Sequence, residues 1–175
     1  MSIDETRTLL PLQIAILTVS DRRSLDDDRS GAVLVARAEA AGHSIIDRQI
    51  SRDEPAEIEV LVRSWVARED VDVVIATGGT GVTGRDTTPE AFAAIYEKEI
   101  PGFGELFRWL SYQKIGTSTI QSRASAGVAG GTYLFSLPGS PGACKDAWDG
   151  ILATQLDSRF RPCNFVELMP RLRER

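Results

Sequence analysis

The densest chemistry in the chain lies at Gly78-Gly79-Thr80-Gly81, which opens the segment GGTGVTGRDTT. Four glycines fall within seven residues there, more than a turn requires. Without Cβ atoms, successive backbone N–H groups can curl around an anion, and the Thr80 hydroxyl adds a donor. A helix starting near Thr88 would turn its positive end toward the same place. The chemistry marked by these residues is the binding of a small phosphorylated molecule. Carboxylates stand at comparable points: Asp21 after an apolar run, Asp53 before Glu54-Pro55, and Asp86 between Arg85 and Thr87. Hard cations near phosphates take carboxylate oxygens, so these are candidates to hold Mg²⁺. Each also has a plainer role, Asp21 as a strand terminator and Asp53 and Asp86 as helix caps.

A second glycine loop, Pro138-Gly139-Ser140, follows a later apolar run. Ser122-Arg123 precedes a small-residue stretch, and Arg123 either pairs with a phosphate or lies on the surface. Asp26, Asp27 and Asp28 look like a solvated acidic loop, the reading favoured for the first two, and Ser30 can cap the helix that follows. Gly79, Gly81 and Gly84 also spell the dinucleotide pattern G-x-G-x-x-G. In the dinucleotide-binding version the last glycine lies inside the opening helix, whereas Arg-Asp-Thr-Thr-Pro after Gly84 delays a helix here.

The elements that must carry these loops follow from hydrophobic patterning. Leu12–Val19 and Val71–Thr77 are apolar almost throughout, as strands buried on both faces of a parallel sheet are, and Ile45–Ile50 reads as another strand. Helices alternate with them: one from Ser30 to about Ala41, one opened by Pro55, and one opened by Pro89. Pro101-Gly102 breaks the third, and a short helix follows that ends near Gly116. Ala129-Gly130-Gly131 reads as a turn before the strand Thr132–Leu137, and a last helix carries Ala147, Trp148, Ile151, Leu152 and Leu156. The expected fold is a three-layer α/β/α sandwich with a mostly parallel sheet and an antiparallel edge hairpin. Residues 1–10 are expected as a flexible arm, 11–160 as the domain, and 161–175 as a tail on the domain or a neighbouring subunit. In such a sheet ligands bind beyond the carboxyl ends of the strands, where Asp21, Asp53, Gly78–Gly81 and Pro138–Ser140 would converge.

Composition narrows the function classes. Net charge is −5 with scattered lysines and arginines, against a duplex nucleic-acid binder. No apolar run is long enough to cross a bilayer, and the start lacks signal-peptide order, so a cytoplasmic protein is expected. Cys144 and Cys163 are too few for a disulfide framework or a zinc set, and His43 is the only histidine.

Taken together, TVSD at 18–21, DRSG at 28–31, DE at 53–54, GGTG at 78–81, RDTTPEA at 85–91, PGFGE at 101–105, SRASAG at 122–127 and LPGSP at 137–141 resemble one family. It is the molybdenum-cofactor biosynthesis family of MoaB, MogA and the gephyrin G domain. The likeness runs from residue 12 to about 156, and the stretch ending in SRASAG and the RFRPCNF tail look most like the MoaB branch. The resemblance implies a site for molybdopterin, a pterin dithiolene with a terminal phosphate, and a homotrimer or homohexamer. In MogA-like members it implies adenylyl transfer with ATP as co-substrate and Mg²⁺ as cofactor. By motif, Asp53 and Asp86 match the acidic residues of that activity. Gly79, Thr80, Gly81 and Ser140 match ligand loops, and Ser30 and Gly31 match a loop near the nucleotide phosphates. The alternatives are a non-catalytic molybdopterin carrier and, from the G-x-G-x-x-G pattern, an NAD(P)-binding oxidoreductase.

Overall fold

Side chains alternate across each strand, so a run that is apolar at every position must be covered on both faces. In the computed structural model, which describes residues 2–174, this is how the chain folds. Strands β1 (Gln13–Val19), β2 (Ser44–Ser51), β3 (Val73–Thr77), β4 (Lys98–Glu99), β5 (Ser125–Ala129) and β6 (Thr132–Leu137) form one sheet, in the order β2-β1-β3-β6-β5-β4. The β2-β1-β3-β6 portion is parallel, and β5 and β4 add antiparallel pairings at one side.

The helices are α1 (Arg29–Ala40), α2 (Pro55–Val66), α3 (Thr88–Ala93), α4 (Pro101–Ile115) and α5 (Pro141–Ala147), the last running through a π-turn at Trp148–Leu152 into α6 (Ala153–Gln155). Ile14, Ile16, Val73, Ile75 and Phe135 pack with residues of α1, α4 and α5 on one face. Ala15, Leu17, Val74, Ala76 and Leu134 pack with residues of α2 and α3 on the other. Burying each large side chain contributes roughly 1.5–3 kcal/mol, and neither face could be left open. The result is the expected three-layer sandwich.

Several boundaries differ from the sequence reading. β1 begins at Gln13 because the Leu12 N–H instead donates to His43 Nδ1 at 3.2 Å. His43 is therefore a buried structural acceptor, and burial lowers its pKa. β3 begins at Val73, since the Asp72 carboxylate turns to accept the Gln13 N–H at 2.8 Å. The helix expected to be short is the 15-residue α4, with Pro101 in its first turn, where a missing N–H is no loss. The β5–β6 turn does fall on Gly130 and Gly131, both at positive φ, the conformation a two-residue hairpin turn demands. The outer strand of that hairpin gains a two-residue partner, β4, not foreseen from sequence.

Met1 and Arg175 lie outside the described residues, so the expected arm and tail are described from 2 to 10 and from 161 to 174. Ile3 bridges to Phe160, Arg161 N–H donates to Ser2 O at 3.1 Å, and Arg7 pairs with Glu167 at 2.7 Å. The helix α7 (Phe165–Leu168) sets Phe165 against Tyr133 and Phe135. The two terminal segments thus hold each other on the domain.

Candidate functional site

From β1 the chain crosses by α1 to β2 on one side, whereas after β3 it moves to the opposite half of the sheet. The adjacent carboxyl ends of β1 and β3 are therefore a topological switch point, where loops diverge and leave a crevice. A pocket of about 190 Å³ lies there, lined by Thr18, Ser20, Arg23, Ser30, Gly78 and Gly79 among others. Beside it, over the ends of β3 and β6, is a cleft of about 410 Å³. Gly79, Thr80, Gly81, Asp86, Ser122, Pro138, Gly139 and Ser140 line this cleft, with Phe107 and Ile115 supplying apolar wall. Gly79 and Gly139 belong to both, so the two cavities share a wall. A larger concavity of about 630 Å³ runs along α3, α4 and β5; it adjoins the cleft at Ser122, but no glycine-loop residue lines it. Position at the strand ends, rather than volume, makes the paired cavities the candidate site.

The separate loops meet at Gly79. Its φ is +61°, and a Cβ built there would stand 2.8 Å from both Asp53 carboxylate oxygens and 2.4 Å from Thr88 Oγ1. A side chain is excluded by conformation and by space. Thr88 Oγ1 is itself buried without a hydrogen-bond partner. On the other flank, the Cβ position of Gly139 is 3.0 Å from Gly78 Cα. Asp53, Gly78–Gly79 and Pro138–Ser140 are thus gathered at one edge. The cap assignments change. Thr87 precedes α3, which Asp86 does not cap, and Asp53 accepts hydrogen bonds from Thr87 N at 3.2 Å and Thr87 Oγ1 at 3.0 Å instead of capping α2. Ser140 caps α5, accepting the Ala143 N–H at 3.1 Å.

Asp86 lines the larger cleft and accepts from Thr83 N at 2.8 Å and Thr83 Oγ1 at 2.6 Å. Burial opposes its ionisation, but these hydrogen bonds outweigh it and hold the carboxyl below the ordinary range. Asp21 is held low by Arg85 and by the Asp53 N–H, which it accepts at 3.2 Å. Arg85 reaches Asp21 and Glu54, each at 2.8 Å, and so ties the loops after β1 and β2 to the one after β3. Arg123 neither faces a ligand loop freely nor lies idle on the surface. Its guanidinium donates to Gly81 O and Asp86 O, both at 2.6 Å, and pairs with Glu90, clamping the glycine loop. Ser122 lies on the wall beside it.

Among the described residues no group of three or more His, Cys, Asp or Glu side chains is placed to hold a metal ion. Asp53 beside Gly79 and Asp86 beside Gly81 flank one loop, which fits Mg²⁺ held by one or two carboxylates plus substrate phosphates.

Sequence reasoning missed the support beneath the small pocket. Asp28, read with a solvated acidic run, is buried, and it rather than Ser30 caps α1, accepting the Gly31 N–H at 2.9 Å. It also accepts from Thr18 Oγ1 at 2.7 Å and from Arg48 Nη2 at 2.9 Å. Ser30 lines the pocket from inside α1, while Gly31 packs beneath it against Asp28 and Thr18 and lines neither cavity. The wall formed by Ser111, Ser118, Thr119 and Gln121 was also missed; for the last three the signal was the hydroxyl-rich run GTSTIQS.

Comparison with known proteins fits this geometry. Residues 15–158 match the family model described as "Probable molybdopterin binding domain". Molybdenum cofactor biosynthesis protein B of Escherichia coli (strain K12) is 52% identical over 156 residues, covering 89% of this chain and 92% of that protein. The chain belongs to the molybdenum cofactor biosynthesis protein B (MoaB) family. Its counterpart from Halalkalibacterium halodurans is 45% identical, over 92% of this chain and 96% of that one. A crystal structure of a molybdenum cofactor biosynthesis protein B superposes with a TM-score of 0.87 at 36% identity, covering 97% of this chain and all of that one. Like that MoaB structure, the chain has a mixed sheet between helical layers. Membership in the MoaB family displaces the NAD(P) alternative, as does the start of α3 at Thr88, four residues beyond Gly84. Among the described residues no helix is long and apolar enough to cross a membrane.

Proposed function

We propose that the protein binds molybdopterin and ATP at the paired cavities and transfers AMP to the terminal phosphate of molybdopterin. The observation carrying this reading is the shared wall at Gly79 and Gly139, with Asp53 and Asp86 flanking the same loop. Two anionic ligands placed on either side of that wall would bring their phosphates together. A molybdopterin phosphate oxygen attacks the α-phosphorus of ATP, the bond from that phosphorus to the bridging oxygen breaks, and pyrophosphate leaves. Holding the groups in line turns a bimolecular encounter into an intramolecular one. Magnesium, held by Asp53 and Asp86, would supply charge neutralisation between the two polyanions. The glycine loop, stiffened by Arg123 from below, offers backbone donors, and Thr80 and Ser140 offer hydroxyls. Incubating the purified protein with molybdopterin and Mg-ATP should yield adenylylated molybdopterin and pyrophosphate in equal amounts. Absence of molybdopterin binding would overturn the reading.

A non-catalytic carrier role is the second reading, favoured by the carboxylates of Asp53 and Asp86 already accepting hydrogen bonds from threonines. Binding without release of pyrophosphate would establish it.

The reading extends to a homo-oligomer, a trimer or hexamer. Trp109, Tyr112, Ile115 and Ile120 are exposed on α4 and the turn after it, a concentration of apolar surface that association would cover. Light scattering at micromolar concentration should return a multiple of 19.1 kDa, and a monomer mass would remove this part of the proposal.

A further inference from the structure

The turn between Gly81 and Asp86 projects from the domain: Val82 is 65% exposed, and nothing lies within 4 Å of a Cβ built at Gly84. Its two ends carry the chemistry, since Gly81 and Asp86 both line the larger cleft. Bonds between Thr83 and Asp86 close the turn on itself. Arg123, two residues before β5, ties both of its ends down. The Arg123 N–H donates to Thr80 O at 3.0 Å, Nε to Gly81 O and Nη2 to Asp86 O, each at 2.6 Å, and Nη1 pairs with Glu90.

Nε and Nη2 form one edge of a rigid planar fork, so the guanidinium itself sets the spacing of the two carbonyls it holds. Glu90 answers its charge, and Arg123 lines neither cavity of the candidate site. The held carbonyls belong to trans peptides, in which the N–H points opposite to the C=O. In the Asp86–Thr87 peptide that N–H donates to Asp53 Oδ1 at 3.2 Å. One peptide plane thus joins Arg123 to Asp53. The Thr80–Gly81 peptide ends against the other carboxylate, the Cβ position of Gly81 standing 2.7 Å from Asp86 Oδ2. Each carboxylate flanking the glycine loop is one peptide removed from Arg123, and hydrogen bonds in such chains strengthen one another.

We propose that Arg123 is a positioning residue for phosphoryl transfer, one that fixes the spacing of the Asp53 and Asp86 carboxylates through two peptide units and touches no ligand. The inference rests on the adenylyl-transfer reading for the reaction it serves. Misplacing reacting groups by about 1 Å can cost on the order of 10²-fold in rate, so a residue outside the cleft can govern turnover.

Arg123→Gln removes the fork. It should lower kcat for AMP transfer about 10- to 100-fold and leave KM for ATP and for molybdopterin within about threefold of wild type. Arg123→Lys should recover little, because a single ammonium cannot hold both carbonyls at a fixed spacing. Guanidinium added to Arg123→Ala should restore part of the rate. Without any ligand, amide NMR of the full-length protein should show the Thr87 N–H shifted and exchanging faster in the Gln and Lys variants. Should Arg123→Gln not fold, Arg123→Lys carries the same comparison. A raised KM at unchanged kcat would make Arg123 a ligand contact, and full activity in Arg123→Lys would make its role one of charge alone. Either result, unchanged kinetics in Arg123→Gln, or a Thr87 amide that does not move would overturn the proposal. A wild type that transfers no AMP would refute the adenylyl-transfer reading. The Thr87 amide, and its return toward wild type when guanidinium is added to Arg123→Ala, would then decide the positioning role by themselves.

Discussion

Asp86→Asn should lower AMP transfer by about 10²–10³-fold, the scale set by removing a preorganised charge or donor from a reacting centre. The substitution keeps the shape of the side chain and one acceptor for the Thr83 N–H and Oγ1, which the carboxylate now holds at 2.8 and 2.6 Å. The loop should therefore persist and the melting temperature move little. The charge lost is one that stays ionised throughout the physiological range, because its hydrogen bonds hold the carboxyl low. Rate of AMP transfer, measured beside molybdopterin affinity, separates the two readings of this residue. Retained affinity with a collapsed rate is the expected pair of results; a fully active Asp86→Asn protein would reduce Asp86 to a loop fastener.

Asp28→Ala should be the most damaging single change to stability near the site. The carboxylate is wholly buried and holds the Gly31 N–H, the Thr18 hydroxyl and the Arg48 guanidinium together. Its removal strands a partly buried cation and uncaps α1, at a cost of about 3–5 kcal/mol. For a chain of this size that corresponds to roughly 6–20 °C in melting temperature. Asp28→Asn keeps a helix cap but not the charge and should fall between the two. The effect has a defined pH dependence. Burial opposes ionisation of Asp28, yet the hydrogen bonds from Gly31, Arg48 and Thr18 prevail and set its folded pKa below the ordinary 3.8. A carboxyl depressed on folding contributes stability that is fully present above about 3.8 and fades as pH falls through the lower folded value. The gap between wild type and Asp28→Ala should accordingly be constant from neutral pH to about 4.5 and narrow below 3.8. A gap that stayed constant to pH 2 would contradict the assigned network.

Both residues serve one arrangement. The sheet brings the ends of β1, β3 and β6 side by side, and the loops leaving them are cross-tied by arginines. Arg85 spans the loops after β1 and β2, Arg123 fastens the glycine loop, and Arg48 supports the α1 cap from β2. Most of the positive charge near the site thus maintains loop geometry. Exposed pairs such as those of Arg85 contribute little to global stability. Their effect is on which loop conformations are available to a ligand.

The amino-acid order by itself determined the layers of the fold and the sheet edge at which the candidate site lies. Apolar runs such as VVIAT leave no polar face, so helices must cover both sides, and glycine clusters after such runs mark where strands end. What only the folded chain decided was the partner of each charge. Asp28 and Arg48 are twenty residues apart, and Arg123 meets the glycine loop from more than forty residues away. Nothing local distinguishes the buried Asp28 from the exposed Asp26 and Asp27. Periodicity reports on the solvent exposed by one strand or helix, whereas the fate of an ion depends on desolvation and on donors supplied by distant elements.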